Sequence, residues 1–514
     1  MKLVDEIIER IKSGKIKNKK ELVRLKSKLA HKYKLNKIPS NAKIFEKATK
    51  KQKEFLRSFL KIKPVRSISG VSVIAVMTPP APCPHGKCTY CPSAKNVPES
   101  YTGKEPAARR GKSLDYDPYL QVQNRLKQLK AIGHQPQKCE LIIMGGTFPA
   151  RPQKEQEEFI KMCLLAMNRF PKDKPDKIPP LTEIQKANET AKIRCVGMTF
   201  ETRPDYCGKK EIELMLKLGG TRVELGVQTV YDEIYKKVNR GHKIKDVVIA
   251  TKKLKDAGFK VLYHMMPGLP GSDLVKDEEM FYEIFHNQNF KPDMLKIYPC
   301  LVIPGSELYD DWKKGEYEPY SEKETVKLIA EIKKECPWYV RIMRIERDIP
   351  GTEIAAGITT TNLRQEVEKY MKKWNLSCDC IRCREIGHRI TKGAKLDKES
   401  IYLAKTIYSA SDGKEIFLQF IDKNETLIGF LRLRLNNTET ALVRELHVYG
   451  EQTLIGEKGK VQHEGYGKNL LNEAEKISKK QNKKKISIIS GIGVREYYRK
   501  YGYKKDGPYM SKNL

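Results

Sequence analysis

The apolar run of residues 71–77, Val71-Ser72-Val73-Ile74-Ala75-Val76-Met77, leads through a proline-rich turn into Cys83-Pro84-His85-Gly86-Lys87-Cys88-Thr89-Tyr90-Cys91. A short β-rich run bounded by prolines reads as a buried strand, which puts the three cysteines on the loop at its carboxyl end. Similar runs recur at residues 140–144, 195–200, 222–227, 260–265 and 294–298. Helical patterns fall between them at 118–131, 209–218, 243–257 and 278–285. Strand and helix in alternation predict an α/β domain with a parallel sheet and right-handed crossovers, either open or closed into a full or partial barrel. In such folds the reacting groups gather at the carboxyl ends of the strands. Here those ends carry Gly145-Gly146-Thr147, Glu201-Thr202-Arg203-Pro204-Asp205, Gln228, His264-Met265-Met266-Pro267 and Tyr298-Pro299-Cys300. All are expected on one face.

At 514 residues the chain is too long for one hydrophobic core. We divide it into a basic helical segment at 1–64, the α/β domain at 65–350, a linker at 351–395 and an α+β domain at 396–514. Its 99 Lys and Arg against 64 Asp and Glu give a formal net charge of +35, a field that attracts polyanions, so nucleic acid leads the partner classes. Residues 1–64 hold 21 Lys and Arg against 6 Asp and Glu, a local excess of 15. Leu3, Ile7, Ile8 and Ile11, then Leu22, Leu25 and Leu29, recur there at helical spacing, which predicts two or three basic amphipathic helices. A solvated charged face is the plainer alternative. No strongly apolar face with Trp or Phe anchors repeats there to mark a membrane-surface helix, no apolar run is long enough to span a bilayer, and no signal peptide is visible. The expected compartment is the cytoplasm, which also suits the clustered thiols: all 12 cysteines lie at or before Cys383.

Three thiolates as close as Cys83, Cys88 and Cys91 can hold three irons of a [4Fe-4S] cluster and leave the fourth open; zinc accepts similar spacings. S-adenosylmethionine (SAM) chelates such an iron through its amino and carboxylate groups, and electron transfer then releases a 5'-deoxyadenosyl radical. A three-cysteine loop after the first strand, with Gly145-Gly146-Thr147 after the second, resembles the radical SAM superfamily. That resemblance implies SAM contacts from Gly145, Gly146, Thr147, Glu201, Arg203 and Gln228.

Farther on, Gln462-His463-Glu464-Gly465-Tyr466-Gly467 follows the run Arg444-Glu445-Leu446-His447-Val448-Tyr449 and opens a helical pattern at 468–479. Glycines at a strand-to-helix turn let backbone N–H groups approach a phosphate. With strand candidates at 416–420, 427–433, 441–448 and 486–490 and Tyr497-Tyr498 downstream, this resembles the GNAT acetyltransferase family. The resemblance implies acetyl-CoA held by Glu445, Leu446, His447, Val448, Gln462, Gly465, Tyr466, Gly467 and Lys468. It also implies a tyrosine acid for the departing CoA thiolate, Tyr498 first and Tyr497 second. Both tyrosines also read simply as packing residues.

Cys378, Cys380 and Cys383 supply three more thiolates, one short of a closed zinc site. Cys300 is the preferred fourth ligand, with His388 and Cys336 as alternatives. Such a zinc staples the linker to the α/β domain. A second iron-sulfur cluster is the competing assignment.

Radical SAM and GNAT features in one chain closely resemble the family of Elongator catalytic subunits, the tRNA uridine 5-carboxymethyl synthases, in an archaeal-like stand-alone form. The motifs that carry this also include Asn239-Arg240-Gly241-His242 and Gly507-Pro508-Tyr509-Met510. The resemblance implies a cleft where SAM and acetyl-CoA meet beside the wobble uridine of a tRNA anticodon stem-loop. The radical takes hydrogen from the acetyl methyl, the carbon adds to uridine C5, and thioester hydrolysis leaves a carboxymethyl group. It further implies an electron donor and a contact from Lys138 to acetyl-CoA; monomer and homodimer both stay open. Eukaryotic members space the first two cluster cysteines more widely, and some lack the second cysteine group. The rival functions are a protein lysine acetyltransferase with a structural cluster and a non-enzymatic tRNA-binding scaffold.

Overall fold

The computed structural model describes residues 2–16, 18–35, 38, 41, 44, 47–49, 51–52, 56, 70–450 and 465–514. Seven strands lie side by side in chain order: β1 (Ser72–Met77), β2 (Lys138–Met144), β3 (Arg194–Thr202), β4 (Arg222–Gln228), β5 (Lys260–Met265), β6 (Met294–Ile297) and β7 (Arg341–Arg344). Every neighbouring pair is parallel. β1 and β7 are the two edges, so the sheet is a half-barrel, the partial barrel expected. β7 adds a strand to those read from sequence.

Side chains on these strands alternate between two different environments. Ile74, Leu141, Val223, Leu225, Val261 and Leu295 point outward into the helix-covered core. Their neighbours, including Glu140, Glu224, His264 and Lys296, point inward and line a cavity. The inner face of the half-barrel therefore carries charged groups among apolar ones such as Val73, Ile142 and Met294.

A second sheet is built from β8 (Tyr402–Ala410), β9 (Gly413–Ile421), β10 (Leu427–Leu435), β11 (Thr440–Val448), β12 (Lys485–Ile489), β13 (Lys504–Asp506) and β14 (Tyr509–Asn513). Its order is β13-β14-β12-β11-β10-β9-β8, antiparallel except for β11 and β12. That parallel pair runs from Thr440 opposite Lys485 to Val443 opposite Ile488, and the strands then part. The helix Tyr466–Lys480 packs on β9, β10 and β11.

The two sheets dock through charged side chains. Arg432, Arg434 and Arg444 are at most 1% exposed. Arg444 pairs with Asp293 and Glu415, Arg434 with Asp256 and Glu415, and Arg432 with Glu445 while donating to the carbonyl of Tyr339 at 2.6 Å. Buried charge is tolerable only when paired and hydrogen-bonded in this way. The backbones also touch: a Cβ on Gly491 would lie 2.1 Å from the carbonyl oxygen of Val196 on β3, so only glycine fits there.

At the N-terminus, helices Lys2–Lys12 and Lys19–Lys32 close on a core of Ile7, Ile8, Ile11, Leu22, Leu25 and Leu29, as their spacing predicts, joined by Val4, while Leu3 packs against it half-buried. Asn18 caps the second helix by accepting from the N–H of Glu21 at 3.0 Å. The linker holds helices Leu363–Lys373, Ile381–Arg384 and Ile386–Thr391. Buried Leu363, Val367, Ile381 and Ile386 explain why: they join the core of the half-barrel.

Candidate active site

The cysteine loop sits at the carboxyl ends of the half-barrel strands. The His85 ring lies between two sulfurs, its Nδ1 3.1 Å from Cys83 Sγ and its Nε2 3.2 Å from Cys88 Sγ. Cys91 Sγ is 3.1 Å from Ser100 Oγ, and the buried guanidinium of Arg240 donates to Cys88 Sγ at 3.7 Å. Hydrogen bonding with Cys91 outweighs burial and, with His85 and Arg240, holds the Cys88 thiol well below its ordinary value, while the same hydrogen bond and burial push the Cys91 thiol up. Burial opposes ionisation of Cys83, yet the His85 contact lowers it as well. Thiolates are the form that binds iron. Around them Tyr90 Oη, Gln228 Oε1 and both ring nitrogens of His242 are buried without a hydrogen-bond partner, so polar capacity is waiting for a ligand. The residues present fit a three-cysteine iron-sulfur cluster with a polar co-ligand.

Gly145 follows β2 at φ +114°, and a Cβ there would meet Thr78 Oγ1 at 2.4 Å, so glycine lets the ends of β1 and β2 close up. Gly146, Thr147, Glu201, Arg203 and Gln228 all line the same cavity. Arg203 is braced by Asp205 and donates to the carbonyl of Arg240 at 2.7 Å.

Deeper in the half-barrel, Lys296 bonds Glu224 and also lies 3.2 Å from Glu201. His264 Nε2 is 2.8 Å from Glu224 Oε2, with the Tyr298 ring edge-on to the imidazole. Lys296 and Glu224 were not singled out from sequence. The available signal was a charge at an alternating position within otherwise apolar strands.

Beyond the point where it parts from β12, β11 presents Glu445, Leu446, His447 and Val448 to the same cavity. Gly465, at φ +92°, caps the helix Tyr466–Lys480, and Tyr466, Gly467 and Lys468 form its first turn. Gln462 lies outside the described residues. The Tyr497 hydroxyl sits over this turn, since a Cβ on Gly467 would be 2.6 Å from it. Tyr498 is buried in the core of the second sheet, and burial raises both phenols, keeping them protonated as an acid must be. Lys138, at the start of β2, lines the cavity too, and burial lowers its ammonium pKa. The cavity, of about 1170 Å³, is lined by residues of both sheets, Cys83 and Tyr498 among them.

Cys378, Cys380 and Cys383 bring their sulfurs within 4.8 Å of one another, and Lys333 Nζ donates to Cys383 Sγ at 3.4 Å. Cys300 is not with them. It packs beside Cys88, Cys91, Met266 and Leu269, because the loop after β6 turns toward the first cysteine cluster. Cys336 is the buried thiol that feels Cys380 and Cys383 electrostatically. His388 instead faces Glu385 at 3.2 Å.

Comparison with known proteins gives four family matches: the ELP3 N-terminal domain over residues 1–68, the radical SAM superfamily over 79–281, the radical SAM C-terminal domain over 292–373 and the acetyltransferase (GNAT) family over 381–503. The chain is 52% identical to the tRNA uridine(34) acetyltransferase of Methanocaldococcus infernus, covering 100% of this chain and 98% of that protein. It is 39% identical to human Elongator complex protein 3, covering 100% and 96%. Among solved structures, archaeal Methanocaldococcus infernus Elp3 lacking residues 1–46 superposes with a TM-score of 0.77 at 51% identity, over 87% of this chain and 100% of that one. Among the described residues no helix is long and apolar enough to cross a membrane.

Proposed function

This chain belongs to the family of tRNA uridine(34) acetyltransferases and Elongator complex protein 3, and we propose that it modifies the wobble uridine of tRNA, joining the acetyl methyl carbon of acetyl-CoA to C5 to give 5-carboxymethyluridine. The observation that carries the reading is the single cavity shared by the cysteine loop and the acetyl-CoA strand. When bound, the cluster on Cys83, Cys88 and Cys91 with SAM supplies the radical that takes hydrogen from the acetyl methyl. Gly145, Gly146, Thr147, Glu201, Arg203 and Gln228 hold SAM against it. Glu445 to Val448 offer backbone groups to the pantetheine, and Gly465 to Lys468 take the pyrophosphate at a helix N-terminus, where its charge is favoured. Tyr498 protonates the departing thiolate, with Tyr497 as its alternate. Lys138 contacts acetyl-CoA.

The basic segment 1–64 contributes phosphate contacts to the anticodon stem-loop, an electron donor reduces the cluster, and a zinc on Cys378, Cys380 and Cys383 pins the linker. Acetyl-CoA labelled in its methyl group tests the whole. Label is expected in uridine 34 only when SAM, reductant and tRNA are all present. Label on lysine side chains with unlabelled tRNA would overturn the reading in favour of a protein acetyltransferase.

A further inference from the structure

Within the same cavity, three successive strands bring His264 and Lys296 onto one carboxylate, that of Glu224. Their states differ. Lys296 is clamped by Glu224 and Glu201, which outweigh burial and keep it a firm ammonium. Glu224 is fully buried, yet Lys296, His264 and Arg222 overcome desolvation and keep it a firm carboxylate. Neither can exchange a proton near neutrality. His264 is lowered by burial and by Lys296 against the pull of Glu224 and Glu201, so its ring is neutral. Because Glu224 is ionised and accepts at 2.8 Å, the ring proton resides on Nε2, leaving the Nδ1 lone pair as a base. A carboxylate that fixes the tautomer of a neutral imidazole is the arrangement that activates water for acyl transfer.

We propose that His264 is the catalytic base that hydrolyses the thioester after the acyl carbon has joined uridine, with Glu224 as its positioning residue. The inference rests on the carboxymethyl reading above. Water attacks the carbonyl carbon while Nδ1 takes its proton. The C–S bond then breaks with its electron pair on sulfur, and the Tyr498 hydroxyl protonates the thiolate. The proton on His264 restores the phenol through water. The products are the carboxylic acid and CoA thiol, with no net redox change.

The test uses the full-length, cluster-loaded chain with tRNA, SAM, reductant and methyl-labelled acetyl-CoA, quenched after a single turnover. In His264→Gln, 5'-deoxyadenosine still forms, a tRNA carrying uridine-linked CoA accumulates by mass, and CoA release slows by about 10²- to 10⁴-fold. In Glu224→Gln the hydrolysis pH profile moves from that of the native chain. Nitrogen-15 histidine spectra of the substrate-free chain at neutral pH show an Nε2–H tautomer at His264. An Nδ1–H tautomer, unchanged CoA release in His264→Gln, or loss of its 5'-deoxyadenosine would overturn the proposal. Absence of labelled uridine from the native chain would instead sink the reading beneath it.

Discussion

Arg444 of β11 grips Asp293 at the foot of β6 with both guanidinium ends, Nη2 to Oδ1 at 2.6 Å and Nη1 to Oδ2 at 2.8 Å, and neither side chain is exposed. Removing Asp293 takes a buried partner from Arg444, which keeps Glu415, and from Arg432, which keeps Glu445, at a cost of about 1–3 kcal/mol. Asp293→Ala is expected to lose that much in a denaturant titration, with the two sheets separating first. A loss below about 1 kcal/mol, the range of exposed pairs, would show the interface does not depend on it.

Glu189 meets Arg495 at 3.2 Å and Arg499 at 2.8 Å across the same boundary. Burial alone would raise its carboxyl, but hydrogen bonds from Arg499, Lys186 and Arg495 hold it at about 2. The folded pKa lies below the unfolded value of about 4.3. The stabilisation is therefore complete above that value and is lost as pH falls toward about 2. Glu189→Gln should be less stable than the native chain at neutral pH, with a shallower loss on acidification. Parallel acid profiles would contradict this.

Gly465→Val places a branched side chain at φ +92°, a conformation costing L residues about 1–2 kcal/mol. Calorimetry should find acetyl-CoA bound roughly tenfold more weakly, since about 1.4 kcal/mol is a factor of ten, with iron content unchanged. Unaltered affinity would remove this turn from the CoA site.

Metal analysis separates the cysteine groups. Cys88→Ala should lose iron and sulfide while still binding tRNA. Cys378→Ser should lose zinc alone, whereas Cys300→Ser should keep it. Zinc loss in the last variant would restore Cys300 to the second site.

Tyr498→Phe should slow CoA release by about 10²-fold without changing acetyl-CoA affinity, the signature of a lost acid. If Tyr497→Phe does this instead, the roles are exchanged.

Much of this fold was legible in the alternation of apolar runs: the ranges read for β5 and for helices Pro118–Ala131 and Lys209–Leu218 match residue for residue. β7 escaped because it holds four residues, two of them arginine. The misplacing of Cys300 has a similar origin. Spacing along the chain says which loop a thiol occupies, not which way the loop folds. Arg432 and Arg434 mislead in another manner. Leu431-Arg432-Leu433-Arg434-Leu435 has the alternation of a strand with one wet face, yet every residue of β10 is buried, because the half-barrel covers the charged side. Periodicity reports that a face is polar but is silent on what lies against it.

The guanidiniums sealed between the sheets also bear on how such an enzyme can be divided. Cut loose, the carboxyl-terminal module would bare Arg432, Arg434 and Arg444 along with the backbone seat of Gly491, and the half-barrel would be left with Asp293 stripped of its guanidinium partners. Neither piece is a ready-made free-standing part. Exchanging one such module for another would require replacing acids and arginines on both sides of the boundary at once.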